Sequence, residues 1–285
     1  MKNRLTVMFM VIGMATTLAF SDLVLANDAS SKRSWNLGLS LGAGQRSNPL
    51  INGEQIDLWW SLDFAWFGEH LFFDNGDLGL TLSERSDSTL NWVARINTER
   101  AFFSEINEGL FSQATFANQF PLVEVGSDEF EALSAQEVDV PDRDYAFETG
   151  FEYLLDKSWG RVHAQAMFDV SSVHNGFDVW VNVSNDYVVG RWHIVPSLSM
   201  NWKSDKLNNY YYGVRENESS TLLPEYQASG GLNLAVKVSA SYYISQRWRF
   251  MLAMDYESIN SEAADSPLLE DDYIAAYFTG LHYAF

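Results

Sequence analysis

Over much of the chain, apolar and polar residues alternate one by one. In "WGRVHAQAMFDVS", Val162, Ala164, Ala166, Phe168 and Val170 form one file, and Arg161, His163, Gln165 and Asp169 form the other. In "GLNLAVKVSASYYI", residues Leu232 to Ile244 in steps of two are apolar, opposed by Asn233, Lys237, Ser239 and Ser241. "WRFMLAMDYE" sets Trp248, Phe250, Leu252, Met254 and Tyr256 against Arg249, Asp255 and Glu257. Glu148 and Glu152 oppose Tyr145, Phe147, Phe151 and Tyr153, while Arg191 and His193 oppose Trp192, Ile194, Leu198 and Trp202. A period of two is that of a strand with two unlike faces.

This reading predicts twelve strands, at 35–45, 56–67, 70–74, 77–83, 89–98, 144–155, 159–171, 176–185, 188–202, 231–244, 247–257 and 272–285. If "HLFFDNGDLGLTL" is one kinked strand instead of a hairpin turning on "DNG", the count falls, and ten is the alternative. An even number favours the hairpin, because single-chain bacterial barrels have even strand numbers and both termini on one side. Pro196, lacking an N–H, predicts a break in the ninth strand. The links alternate in length: "GE", "SERSDS", "DKSW", "SND" and "SQR" are short, whereas 46–55, 99–143, 203–230 and 258–271 are long. Short periplasmic turns and longer extracellular loops give that rhythm.

Aromatic residues gather at strand ends. Trp35, Trp66, Phe67, Trp159, Tyr187 and Trp248 mark the periplasmic side; Trp59, Trp60, Trp202, Tyr256 and Tyr273 mark the other. Rings with an apolar body and a polar tip suit both margins of a hydrocarbon layer. Strands can cross that layer only when every edge is paired, so the last strand must close on the first, "WNLGLSLGAG". The fold class is an all-β, closed antiparallel transmembrane β-barrel.

Residues 1–26 read as a cleaved signal peptide: Lys2 and Arg4, then an apolar run, then Val24 and Ala26 before the cut. Residues 27–285 then form a single barrel domain. The absence of cysteine removes disulfides, thiolate metal sites and cysteine nucleophiles. A net charge of −20 argues against a nucleic-acid partner. No metal or cofactor motif is present: the acidic stretch 124–144 lacks EF-hand spacing and reads as a solvated loop. No "GxSxG" string accompanies the histidines, so an outer-membrane hydrolase built on His163 or His193 ranks third, and the chain reads as non-enzymatic.

The inward files predict a polar network in the lumen formed by Glu148, Glu152, Arg161, His163, Asp169, Arg191, His193, Lys237, Arg249 and Asp255. A small hydrophilic diffusion pore is the alternative use of such a lumen. At the C-terminus, Gly280, Tyr283 and Phe285 resemble the assembly signal of Gram-negative outer-membrane proteins, which implies the barrel-assembly machinery as a partner. Tyr283 and Phe285 are expected to face lipid, and His282 the lumen.

Several strings resemble the family of the MltA-interacting protein and OmpV: "WNLGLSLGAG", "FAWFGEHLFFDNGDLGLTL", "RWHIVPSLSMNW", "YYYGV" with "LLPEYQASGGLNLAV", and "ADSPLL". The first loop, "RSNPLINGEQI", departs from the aromatic-Gly-Ser-Asp run associated with the family. The resemblance implies a barrel in the outer membrane of a Gram-negative bacterium, amid lipid and lipopolysaccharide. It also implies either a scaffold joining a murein lytic transglycosylase to a murein synthase, or a surface protein of osmotic response.

Overall fold

A computed structural model describes residues 34–97, 99–103 and 140–285. The signal sequence and most of the acidic loop lie outside these residues. Thirteen strands form one antiparallel sheet: β1 (Ser34–Arg46), β2 (Ile56–Phe67), β3 (Leu71–Asp74), β4 (Asp77–Glu84), β5 (Ser88–Ile96), β6 (Phe147–Lys157), β7 (Gly160–Asp169), β8 (Phe177–Ser184), β9 (Tyr187–Val189), β10 (Trp192–Lys203), β11 (Gly231–Tyr243), β12 (Trp248–Ser258) and β13 (Tyr273–Ala284). β1 pairs with β13, from Gly38↔Ala284 to Arg46↔Ala276, which closes the barrel. No helix among the described residues is long and apolar enough to cross a membrane. The crossing elements are strands.

The thirteen strands make twelve staves, because β8 and β9 continue one another along β10 in a single register (Ser184↔Ser197, Tyr187↔Ile194). The gap between them lies across from Pro196, the residue expected to break the ladder. There the Asn185 amide still donates to the Pro196 carbonyl at 3.2 Å, while proline has no N–H to return. This corrects the expected turn at "SND". The chain runs on through Tyr187–Val189 and reverses at Gly190 and Arg191, where Gly190 takes φ +63°. A two-residue hairpin favours positive φ, which glycine adopts at no steric cost.

The disputed hairpin is real. Asp74 pairs with Asp77 across Asn75 (φ 48°) and Gly76 (φ 117°). Asn75 is buried and locks the turn to its neighbour, accepting from the Phe64 amide at 2.7 Å and donating to Asp63 at 2.9 Å. Away from the β9 hairpin the strand boundaries move by up to three residues: the sixth strand runs from Phe147 to Lys157 rather than 144–155, the seventh ends at Asp169 rather than 171, and the fifth ends at Ile96 rather than 98, while the remaining ends agree to within one residue.

Side chains alternate as the sequence requires. Leu234, Val236, Val238, Leu252, Met254, Tyr277 and Leu281 are exposed, and Ser239, Ser241, Asn233 and Lys237 are buried. Of the expected periplasmic aromatics, Trp35, Trp66, Trp159, Tyr187 and Trp248 are exposed. Phe67 is the exception. It packs on Phe72 with ring centroids 6.1 Å apart, in an inner cluster with Val93 and Met167.

Large inward rings lie over glycines. A Cβ at Gly79 would sit 1.9 Å from the Phe72 ring, and one at Gly38 would sit 2.3 Å from the His282 ring. At the closing seam Gly280 faces Gly42, and a Cβ on Gly280 would meet the Leu41 carbonyl oxygen at 2.5 Å and Phe278 at 2.6 Å. Glycine opposite an aromatic lets the ring lie flat on the sheet.

Candidate functional site

The barrel encloses a cavity of about 600 Å³. It runs from the exposed short turns, where Glu69, Glu84 and Asp156 line it, to a buried outer end lined by Phe102, Leu207 and Ile274. The sequence read the long outer connections as links only. The described parts of them form a plug. Helix α1 (Asp205–Tyr212) and the short helix α2 (Ser261–Ala264) fold over the mouth, and Leu207, Tyr211, Tyr212, Val214, Phe102, Phe103 and Leu268 pack into one apolar cluster. Arg143 is fully buried beneath them, donating to Glu218 at 2.9 Å and to the Gly213 carbonyl at 2.9 Å.

Below the plug, a polar network spans β4 to β8. Arg95 is its hub: Nε donates to Glu148 at 3.0 Å, Nη1 to Gln165 at 2.9 Å, and Nη2 to both Asp178 oxygens at 3.0 and 3.1 Å. Glu148 also accepts from Asn97 at 2.6 Å, and His174 Nε2 lies 3.4 Å away. Glu152 accepts from Asn91 at 2.7 Å and from Gln165 at 3.1 Å, and pairs with His163 at 2.7 Å. Across the lumen, Lys237 and Asp255 stand opposite each other on β11 and β12, and Arg249 stands opposite His282.

Of the ten residues expected in the lumen, Glu148, Glu152 and His163 therefore join the hub, and Lys237, Asp255 and Arg249 stand on the far wall. Arg161 lies at the periplasmic end, 2.7 Å from Asp156. Two belong elsewhere, and a third, His193, stays on the inward file but at the rim. Asp169 closes the β7–β8 loop, accepting from the amides of Ser171, His174 and Asn175 at 2.7–2.8 Å. Arg191 is exposed in the hairpin turn, since the strand to which its parity was assigned begins only at Trp192. His193 sits at the periplasmic rim against Asp186 at 2.8 Å.

Glu99, Arg46 and Lys203 escaped the sequence reading although two of them were within its reach: each strand runs one residue beyond its expected end, and the inward parity of Gly44 and Asn201 carries over to Arg46 and Lys203. Lys203 pairs with Glu99, Tyr212 donates to Glu99, and the Arg46 guanidinium lies 4.4 Å from the Phe102 ring centre. Another contact, Ser40 Oγ to His282 Nδ1 at 3.0 Å, brings a hydroxyl to a histidine. No carboxylate among the described contacts completes a triad there, and none of the described His, Asp or Glu groups is arranged to hold a metal.

The Glu99–Tyr212 bond ties the plug to the barrel and gives it a pH window. Burial pushes Glu99 up, but Lys203 and the Tyr212 hydroxyl outweigh it and hold the carboxyl below its ordinary 4.5. Burial first, then Glu99, pushes Tyr212 well above 10.0. A depressed acid contributes stability above its unfolded value and loses it as pH falls through the folded one; a raised phenol contributes below its unfolded value and loses it as pH rises. Resistance of the plug to limited proteolysis is expected to be flat between pH 4.5 and 10.0 and to fall outside both limits. Glu99→Gln should make the acid limb shallower, and an unchanged acid limb would contradict the assignment.

Residues 37–285 match the family of the MltA-interacting protein MipA. The chain belongs to the MipA family. It is 28% identical over 144 residues to the putative outer membrane protein YiaT of Escherichia coli K12, and 27% over 146 residues to that strain's MltA-interacting protein. Each alignment covers 50% of this chain and 58% of the relative. The outer membrane protein OmpV of Vibrio cholerae is 26% identical over 111 residues, covering 39% of this chain and 43% of OmpV. The aligned part thus spans about half the length of these curated relatives. Family and barrel together place the protein in the outer membrane.

Proposed function

We propose that this MipA-family barrel is a scaffold whose periplasmic rim holds a murein lytic transglycosylase, with a murein synthase as the second client. The observation that carries this reading is the shape of the barrel, plugged at its outer end and open at the side of the short turns, together with a relative named for its interaction with MltA. A plugged outer mouth favours a scaffold over a diffusion pore.

The rim also offers a surface. Past Ser184, the β9 strand pairs among the described residues only with β10, and Tyr187, Val188 and Val189 are all exposed. A short apolar edge with one unpaired side is the template for an added strand from a partner. Beside this edge, Asn185 Nδ2 donates to the carbonyl of Trp159 in the turn before β7 at 3.1 Å.

A pull-down from detergent-solubilised envelopes is expected to recover a murein lytic transglycosylase. Val188→Lys should abolish recovery while leaving heat-modifiable folding intact. Reproducible absence of murein enzymes with the unaltered protein would sink the scaffold; undiminished recovery with Val188→Lys would move the docking surface away from β9.

A further inference from the structure

The lumen has features that a scaffold does not use. Its lining counts ten carboxylates against five Arg or Lys side chains, so the hub and its neighbours leave the cavity acidic. An excess of carboxylates would not by itself define a site. The register adds a second observation: Asn91 on β5, Glu152 on β6, Gln165 on β7, Trp180 on β8, Asn201 on β10 and Asn233 on β11 are successive cross-strand partners. They form one inward belt around half the barrel, all lining the cavity.

Two acceptors in this belt, Asn91 Oδ1 and Asn201 Oδ1, are buried without a hydrogen-bond partner among the described residues, and Asp255 Oδ1 across the lumen is in the same condition. Asn91 is only 3% exposed. Buried acceptors are rarely left unmet in native proteins, and all three lack the same thing, a donor. Trp180, the cross-strand partner of Asn201, supplies an aromatic surface in the same belt, with the His163 ring edge-on at 4.9 Å. Neighbouring carboxylates, unmet acceptors and an indole are the elements that recognise an organic cation bearing several N–H donors.

We propose that the lumen binds a linear polyamine, entering from the periplasmic end. At that end Glu69, Glu84 and Asp156 outnumber Arg161, which pairs with Asp156, and a cleft with an excess of one sign of charge concentrates the opposite sign. The belt then receives the ammonium groups, with Glu152 and Asp255 as counter-charges on opposite walls and Trp180 against the methylene segments. A neutral saccharide would also satisfy open acceptors, but it would make no use of the charge excess. This inference is independent of the scaffold reading, which concerns the rim.

The test is isothermal titration calorimetry of the folded full chain in lipid nanodiscs with spermidine, and with the neutral disaccharide chitobiose for comparison. Saturable binding of spermidine is expected, weakening as sodium chloride is raised. Trp180→Leu and Asp255→Asn should each weaken it about tenfold, as expected for loss of a desolvated cation–π or charge contact. Unboiled gel mobility establishes that each variant is folded, and variants that fold but bind like the unaltered protein would overturn the site. No saturable spermidine binding at millimolar concentration, or binding of chitobiose alone, would equally overturn the proposal.

Discussion

Replacing Arg95 with alanine is expected to cost the barrel about 3–5 kcal/mol, the range for breaking a buried ion pair from one side. The guanidinium reaches Glu148, Gln165 and Asp178 with all three nitrogens, and the side chains of Glu148 and Asp178 are 0% and 5% exposed. Removing it leaves two buried carboxylates without their counter-charge, and they then repel each other. The loss should come from these charges rather than from missing contacts. Arg95→Met combined with Glu148→Gln and Asp178→Asn should therefore recover most of the stability, since an uncharged set of similar volume is often as stable as the ions it replaces. Urea unfolding in lipid vesicles measures both. A single variant within about 1 kcal/mol of the unaltered barrel, the range of exposed pairs, would show that the hub is not structural. A triple variant as unstable as the single one would assign the loss to packing.

The hub illustrates what alternation can and cannot disclose. Parity fixes the face of a residue, so Glu148, Glu152, His163, Lys237 and Asp255 could be placed inside from the chain alone. Parity does not fix height along the barrel, and height decides who meets whom. Arg95 reaches Asp178, 83 residues away, only because β5, β6, β7 and β8 are staggered so that Arg95 pairs with Glu148 while Asp178 pairs with Met167. Parity also fails where a strand does not exist. Extending β10 backward through the hairpin turn gives Arg191 an inward parity that it does not have, and the competing turn signals of "SND" and "GR" are close enough in sequence that the register of β9 is needed to separate them.

The outer plug was the least legible part. Its apolar residues, Leu207, Tyr211, Tyr212 and Val214, follow no period of two, and they belong to a segment whose length suggested an extracellular loop. A local signal was present. Ser204 stands at the N-cap position before Asp205 in the first turn, and Leu207 and Tyr211 fall four residues apart on the buried side of α1. Helical spacing inside a loop of an otherwise two-fold pattern marks a cover over the mouth. The plug thus derives from burial among loops rather than from the membrane, whose demands shape the alternating files elsewhere.

Deleting Phe285, or changing it to Asp, should abolish assembly in cells while costing the finished barrel little. Phe285 is 62% exposed, and its ring packs edge-on to Tyr283 at 4.9 Å, which in turn lies 4.9 Å from Trp248. Tyr283 faces outward at the rim, and His282 faces the lumen on Ser40, as the sequence pattern required. An acidic residue on the outer face near the interface costs only about 1 kcal/mol, and the lost aromatic contact adds a similar amount. The Phe285 amide donates to the Leu37 carbonyl at 3.0 Å, a bond that Asp at this position can keep. Folded-state energetics therefore predict near-normal refolding of Phe285→Asp from urea into detergent. If the assembly machinery reads Gly280, Tyr283 and Phe285, as their resemblance to the outer-membrane signal implies, the opposite is expected in vivo. Unboiled gel mobility of the two preparations separates the effects. Normal folded barrel in the envelope would refute the recognition role, and failure in both preparations would assign the residue to barrel stability instead.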